Sequence, residues 1–174
     1  MNKALHLFMC LWSFLCIAWI GSQMHAIYAH EMINMQYPLE RDFVLRNDTM
    51  GKGHYGASRG GGKRSHTGID LLGVLNEPIR AVGSGRVIYA KEKGGYGKMV
   101  KIRHSDGSET RYAHLSNIHI SLGRWLYQNQ VLGTLGKSGN AISRSILPHV
   151  HFEWRVNESP QDPTRLFSPT EFEH

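Results

Sequence analysis

Apolar residues crowd the first twenty positions of the chain and alternate with polar ones thereafter. From Leu5 to Ile20 the run is nearly continuous and includes Phe8, Trp12, Phe14 and Trp19. Beyond residue 65 the apolar positions come in short strand-like runs: Ile79 to Ala90 around a Gly83-Ser84-Gly85 turn, Met99 to His104, Glu109 to Leu115, Gln130 to Leu135 and Val150 to Val156. Residues two apart on a strand share a face, so these runs predict short strands with one buried side. Ser105-Asp106-Gly107-Ser108 separates two of them, and an Asp-Gly pair in that place predicts a hairpin. No stretch after residue 30 sustains helical periodicity over three turns. The pattern predicts an all-β, mainly antiparallel β-sheet domain.

Turn residues divide the chain further. Residues 30–50 are mixed in character, with Pro38, and predict an extended lead-in. Residues 51–64 hold six glycines in fourteen positions, which predicts a long irregular loop of the kind that lines a site. The domain is then expected over residues 51–167, with an irregular tail at 168–174.

The leading apolar run follows a single charge, Lys3, and gives way to small residues, with Ala26 and Ala29 as cleavage points. It is short of the about 20 apolar residues that a spanning helix needs. A signal peptide over residues 1–29 is therefore expected, with an uncleaved anchor as the alternative, and no stable membrane span after cleavage. Both cysteines, Cys10 and Cys16, fall inside it. Without them the exported part has no disulfide framework, no zinc–thiolate site and no cysteine nucleophile. The chain carries a formal net charge of +6, which favours anionic surroundings such as a cell envelope. Nucleic acid is not expected as a partner, because the basic residues are scattered rather than gathered on one element with aromatics between them.

Three segments carry candidate chemistry: Ser65-His66-Thr67-Gly68-Ile69-Asp70, Tyr112-Ala113-His114-Leu115-Ser116 and Pro148-His149-Val150-His151-Phe152-Glu153. Strand alternation predicts that His66, Gly68 and Asp70 point one way, with Thr67 and Ile69 opposite. It likewise groups Thr110, Tyr112 and His114, and it sets His149, His151 and Glu153 against a core side of Val150, Phe152 and Trp154. Imidazole and carboxylate are zinc ligands, and a catalytic zinc typically has three protein ligands with one open position. Each piece alone has a plainer meaning: a solvated His-x-His pair, a buried histidine satisfied by a carbonyl, a bulge glycine at Gly68 rather than relief of crowding near a metal. Glu153 is expected to orient a ligand or to pair with Arg155 or Arg103.

In this order the segments resemble the M23 family of zinc peptidases, the lysostaphin/LytM-type peptidoglycan endopeptidases. The resemblance covers about residues 50–167 and includes His66 to Asp70, Pro78 to Val87, Gly94-Gly95-Tyr96-Gly97, Tyr112 to Ser116, Gln130-Val131-Leu132-Gly133 and Pro148 to Glu153. It implies a lysostaphin/LytM-like fold with a groove-lining glycine-rich loop. It implies one zinc per chain on His66, Asp70 and His151, with His114 and His149 as the catalytic pair. The activity it implies is hydrolysis of peptide cross-links in peptidoglycan by a zinc-activated water, in the periplasm or outside the cell. The alternative is a non-hydrolytic M23-like domain that binds the cell wall or activates a cell-wall amidase; such relatives have typically lost zinc ligands. Two features depart from the family: Ile146-Leu147 stands before Pro148 where a glycine is usual, and the loop 139–145 is unusual. Arg59 or Arg64, from the glycine-rich segment, is a candidate partner for a substrate carboxylate. The bond cut and the oligomeric state stay open.

Overall fold

Val150 and Phe152 are fully buried on one side of their strand while His149, His151 and Glu153 occupy the other, the arrangement that alternation expects. The structure, a computed structural model, describes residues 9, 12–23 and 35–167. The cleavage points Ala26 and Ala29, the start of the lead-in and the tail 168–174 lie outside the described residues. Two units divide the chain, Met1–Ile33 and Asn34–His174. In the first, residues 12–23 are helical and exposed. Among the described residues no helix is long and apolar enough to cross a membrane.

The second unit is built from strands β1 (Asn47–Asp48), β2 (Gly51–Lys52), β3 (Ser58–Arg59), β4 (Arg64–Ser65), β5 (Ile69–Leu72), β6 (Pro78–Arg80), β7 (Gly85–Glu92), β8 (Lys98–Arg103), β9 (Glu109–Ile118), β10 (Trp125–Leu126), β11 (Val131–Leu135), β12 (His149–Val156) and β13 (Ser159–Gln161). Nine of them form one antiparallel sheet. Its spine runs β10-β7-β8-β9. The far edge of β9 is shared: Glu109 to Ala113 pair with β12, and Leu115 to Ile118 pair with β11. β12 continues to β5 and β13, and β11 continues to β6. The fold is thus the expected all-β, mainly antiparallel one, and β8–β9 is the hairpin that Asp106-Gly107 predicts.

Apolar faces set the packing. Tyr112 and Phe152 are directly opposite in register and stack with ring centroids 5.3 Å apart. Ile69, Leu71, Ile102 and Leu135 are fully buried with them, each burial stabilising the fold by about 1.5–3 kcal/mol.

The glycine-rich segment is more ordered than an irregular loop. It holds β2 and the hairpin β3–β4, turned by Gly60, Gly61 and Gly62, all at positive φ, a conformation open to glycine without steric cost. β1 and β2 pair across the turn at Thr49 and Met50.

Candidate metal centre

Strand β5 lies beside β12 with Asp70 directly opposite His151, and His66 enters from the connection that follows β4. Their ligand atoms converge. His66 Nε2 is 2.9 Å from His151 Nδ1, Asp70 Oδ1 is 2.9 Å from His151 Nδ1, and His66 Nε2 is 3.1 Å from Asp70 Oδ1. All three residues are buried.

The outer sides of these rings say which atoms are free to bind. His66 Nδ1 is 2.9 Å from the His54 carbonyl, so that nitrogen carries the proton and Nε2 keeps its lone pair. His151 has carboxylates on both nitrogens: Asp70 Oδ1 at Nδ1 and Glu153 Oε1 at Nε2, 3.1 Å away. Burial pushes the His151 pKa down, but hydrogen bonds and charge from Asp70 and Glu153 override it and raise the pKa to about 9. Burial opposes ionisation of Asp70 too, yet hydrogen bonds from His151 and His66 hold it far below the usual carboxylate range. The pocket is therefore built for a positive charge. Two nitrogens and one carboxylate oxygen, all turned to one point, form a donor set that suits zinc, and these are the residues that could hold it.

Two further histidines face the same space. His149 Nε2 lies 3.9 Å from Asp70 Oδ1, while its Nδ1 is fixed at 2.7 Å by the Leu147 carbonyl. His114 packs against it with ring centroids 5.0 Å apart, its Nδ1 held at 2.9 Å by the Ser138 carbonyl. Both therefore offer Nε2 as an acceptor. Burial, then the nearby His149 and His151, lowers the His114 pKa to about 3. Burial also lowers that of His149, against the pull of Asp70.

Alternation expects Thr110, Tyr112 and His114 together on the groove side and Thr67 beside Ile69; of the first three only His114 lines the groove. Tyr112 and Thr110 face the core and are hydrogen-bonded to each other at 3.2 Å, so strict alternation would bury His114 with them. A register shift of β9 against β8 between Tyr112 and Leu115, with His114 at φ 61°, turns the imidazole into the groove instead. This is a β-bulge, and re-aiming a side chain is what bulges do. Thr67 is not on the Ile69 side; its hydroxyl donates to Glu153 Oε1 at 2.7 Å. The crowding at Gly68 is with backbone, not with the metal centre, since a Cβ there would sit 2.2 Å from the Phe152 carbonyl oxygen.

Glu153 is fully buried and orients His151, as expected of it. It pairs with Arg155 at 2.7 Å and with Arg111 at 3.5 Å, whereas Arg103 turns to Glu109. Tyr96 Oη also donates to Glu153 Oε1. Arg64 lines the groove and is exposed, but Arg59 points inward to Asp70 Oδ2 at 3.1 Å. The groove, about 650 Å³, is also lined by Met50, Asn140 and Ile146. The sequence gives no role to Arg46, Asp48 or Ser138, and Tyr96 figures there only within Gly94-Gly95-Tyr96-Gly97. Their contacts lie across the fold, and no local spacing signals them.

The family model for peptidase family M23 matches residues 64–163. The "DD-carboxypeptidase/endopeptidase Mpg" of Neisseria meningitidis is 41% identical over 107 residues, covering 62% of this chain and 24% of that protein. The "Murein hydrolase activator NlpD" of Escherichia coli is 33% identical over 112 residues, covering 64% of this chain and 27% of that protein. The chain thus spans about a quarter of the length of these curated relatives. Among solved structures, the catalytic domain of lysostaphin from Staphylococcus simulans superposes with a TM-score of 0.57 at 27% identity, covering 70% of this chain and 90% of that one. A zinc-containing peptidase from Vibrio cholerae gives a TM-score of 0.60 at 26% identity, covering 76% and 39%. The ordered match of sequence segments, the shared β-fold and a family model that spans more than half of the chain converge: this protein belongs to peptidase family M23.

Proposed function

We propose that the chain is an exported zinc metalloendopeptidase that hydrolyses DD peptide cross-links in peptidoglycan. The observation that carries this reading is one geometry. Three donor atoms of His66, Asp70 and His151 converge in a groove into which His149 and His114 both turn a neutral Nε2. The DD specificity follows the name of the Neisseria relative, and the choice of zinc follows the donor set and the Vibrio cholerae peptidase.

His66, Asp70 and His151 hold the metal, one per chain. Zinc supplies a Lewis acid that polarises a carbonyl and acidifies water. His149 Nε2 takes a proton from the attacking water and returns it to the departing amine; its depressed pKa keeps it neutral and able to accept. His114 Nε2 accepts a hydrogen bond that positions that water. The exposed Arg64 lines the groove and is the candidate partner for a carboxylate of the stem peptide.

A second reading is favoured by the NlpD relative, named an activator: a domain that binds the wall or a wall amidase without hydrolysis. One experiment separates them. Purified protein is assayed for zinc, then incubated with purified sacculi, and the soluble products are analysed by mass. One zinc per chain and release of muropeptides cut at a DD bond support the peptidase. Intact sacculi, together with stimulation of an added amidase, would establish the activator instead.

A further inference from the structure

Asp70 presents its two oxygens very differently. Oδ1 alone meets the imidazoles of His66 and His151. Oδ2 is turned away and receives two arginines: Arg46 through Nε at 3.2 Å and Nη2 at 2.9 Å, and Arg59 through Nη2 at 3.1 Å. Each arginine is held from behind. Arg46 Nη1 donates to Asp48 Oδ1 at 2.6 Å, and Asp48 Oδ2 in turn accepts the Leu147 N–H at 3.0 Å. Arg59 Nη1 donates to the Lys52 carbonyl at 2.8 Å. The backbone repeats the tie, with Arg46 N donating to the Asp70 carbonyl at 2.8 Å and Asp70 N donating to the Gly53 carbonyl at 2.8 Å.

Arg46 is shared between Asp70 and Asp48, so the two arginines balance two carboxylates. Placing both guanidiniums on one oxygen of Asp70 nonetheless brings like charges together, and burial, then Arg46, disfavours the charged form of Arg59 against the pull of Asp70. What the pair adds beyond charge is direction. A free carboxylate can bind a metal through either oxygen or through both, whereas planar N–H donors from two arginines occupy Oδ2 and leave Oδ1 for the metal. Both arginines lie before residue 64, where the match to the family model begins.

We propose that Arg46 and Arg59 form a clamp that locks Asp70 as a one-oxygen metal ligand, so that the lead-in and the glycine-rich hairpin set the affinity of the metal site. The two are positioning residues, and the clamp rests on the zinc reading above. Partners of this kind behind a ligand typically contribute about 10–100-fold in metal affinity.

The test uses the full chain with Arg59→Ala and Arg59→Lys. Arg59 is the partner of choice because its side chain is part-exposed, unlike that of Arg46. Zinc dissociation constants are measured by competition with a chromophoric chelator, the visible spectrum of the cobalt-substituted protein reports ligand geometry, and thermal melts in EDTA report folding without metal. Arg59→Ala should melt in EDTA close to wild type, bind zinc at least tenfold more weakly and alter the cobalt spectrum. Arg59→Lys keeps the charge without the fork and should not restore affinity. Arg59→Gln carries the same expectation as alanine if alanine fails to fold. Unchanged or tighter zinc binding in the alanine and glutamine variants would overturn the clamp, as would full rescue by lysine, which would reduce the pair to simple charge. A wild-type protein that binds no zinc would overturn the zinc reading and the clamp together; a wild type with one zinc and an indifferent Arg59→Ala would overturn the clamp alone.

Discussion

Glu153 reaches back along its own strand to His151, its Oε1 lying 3.1 Å from Nε2. Two residues apart on β12, they share a face, and the contact fixes the ring so that Nδ1 points at His66 and Asp70. Arg111, Arg155, Thr67 and Tyr96 all hold the glutamate in turn.

Replacing Glu153 with Gln keeps the shape and removes the charge. Zinc affinity should fall by about 10–100-fold as His151 loses its anchor. Stability should fall by about 3 kcal/mol, because Arg111 and Arg155 lose a buried partner. Urea denaturation and chelator competition measure the two effects. Wild-type zinc affinity in this variant would remove Glu153 from the support of the metal.

His66→Ala, Asp70→Ala and His151→Ala each delete one of three converging atoms, and each should abolish stoichiometric zinc. Metal analysis after dialysis checks this. Full occupancy in any one of them would mean that the ligand set is wrong at that position.

His149→Ala and His114→Ala should differ from those variants by keeping zinc while turnover drops by about two to four orders of magnitude. Parallel metal analysis and muropeptide release distinguish the cases. Zinc loss in His149→Ala would place that residue among the ligands.

Metal binding should release a proton. Without metal, His151 has a pKa raised from its ordinary 6.5 to about 9, with burial opposing the shift and Asp70 and Glu153 producing it. Its contribution to stability is thus fully present below the unfolded value and is lost as pH rises through about 9. A ligating imidazole must give up that proton, so zinc binding at pH 7 should release roughly one proton from His151, and fewer above about pH 9. Calorimetry in buffers of different ionisation enthalpy counts them. No release at pH 7 would show that His151 is already neutral in the metal-free protein.

Gly97→Ala tests the support of His114. Gly97 has φ 62°, and a Cβ there would lie 2.4 Å from Ser138 and from the backbone of Gly139. Ser138 carries the carbonyl that fixes His114. The variant should lose at least about 1 kcal/mol from the positive φ alone and should lower turnover while zinc stays bound. Turnover equal to wild type, normalised to folded protein, would disconnect this contact from catalysis.

The strands, the antiparallel architecture, the placing of His149 and His151 opposite Val150 and Phe152, and the histidines and aspartate that gather at the site are all legible along the chain. These depend on local periodicity and on residue types whose chemistry is narrow, so they can be read along the chain. That Thr110 and Tyr112 face the core while His114 faces the groove follows from the fold, because a bulge reverses alternation and leaves no mark in the pattern of apolar residues. The same is true of Thr67, of the backbone that crowds Gly68 and of the order within residues 51–64. Arg59 shows the limit most clearly. Its position in a glycine-rich segment suggested a residue open to substrate, yet the hairpin folds it onto Asp70, eleven residues further on. Which oxygen of that aspartate stays free depends on donors brought from three separate segments, and only the folded chain brings them together.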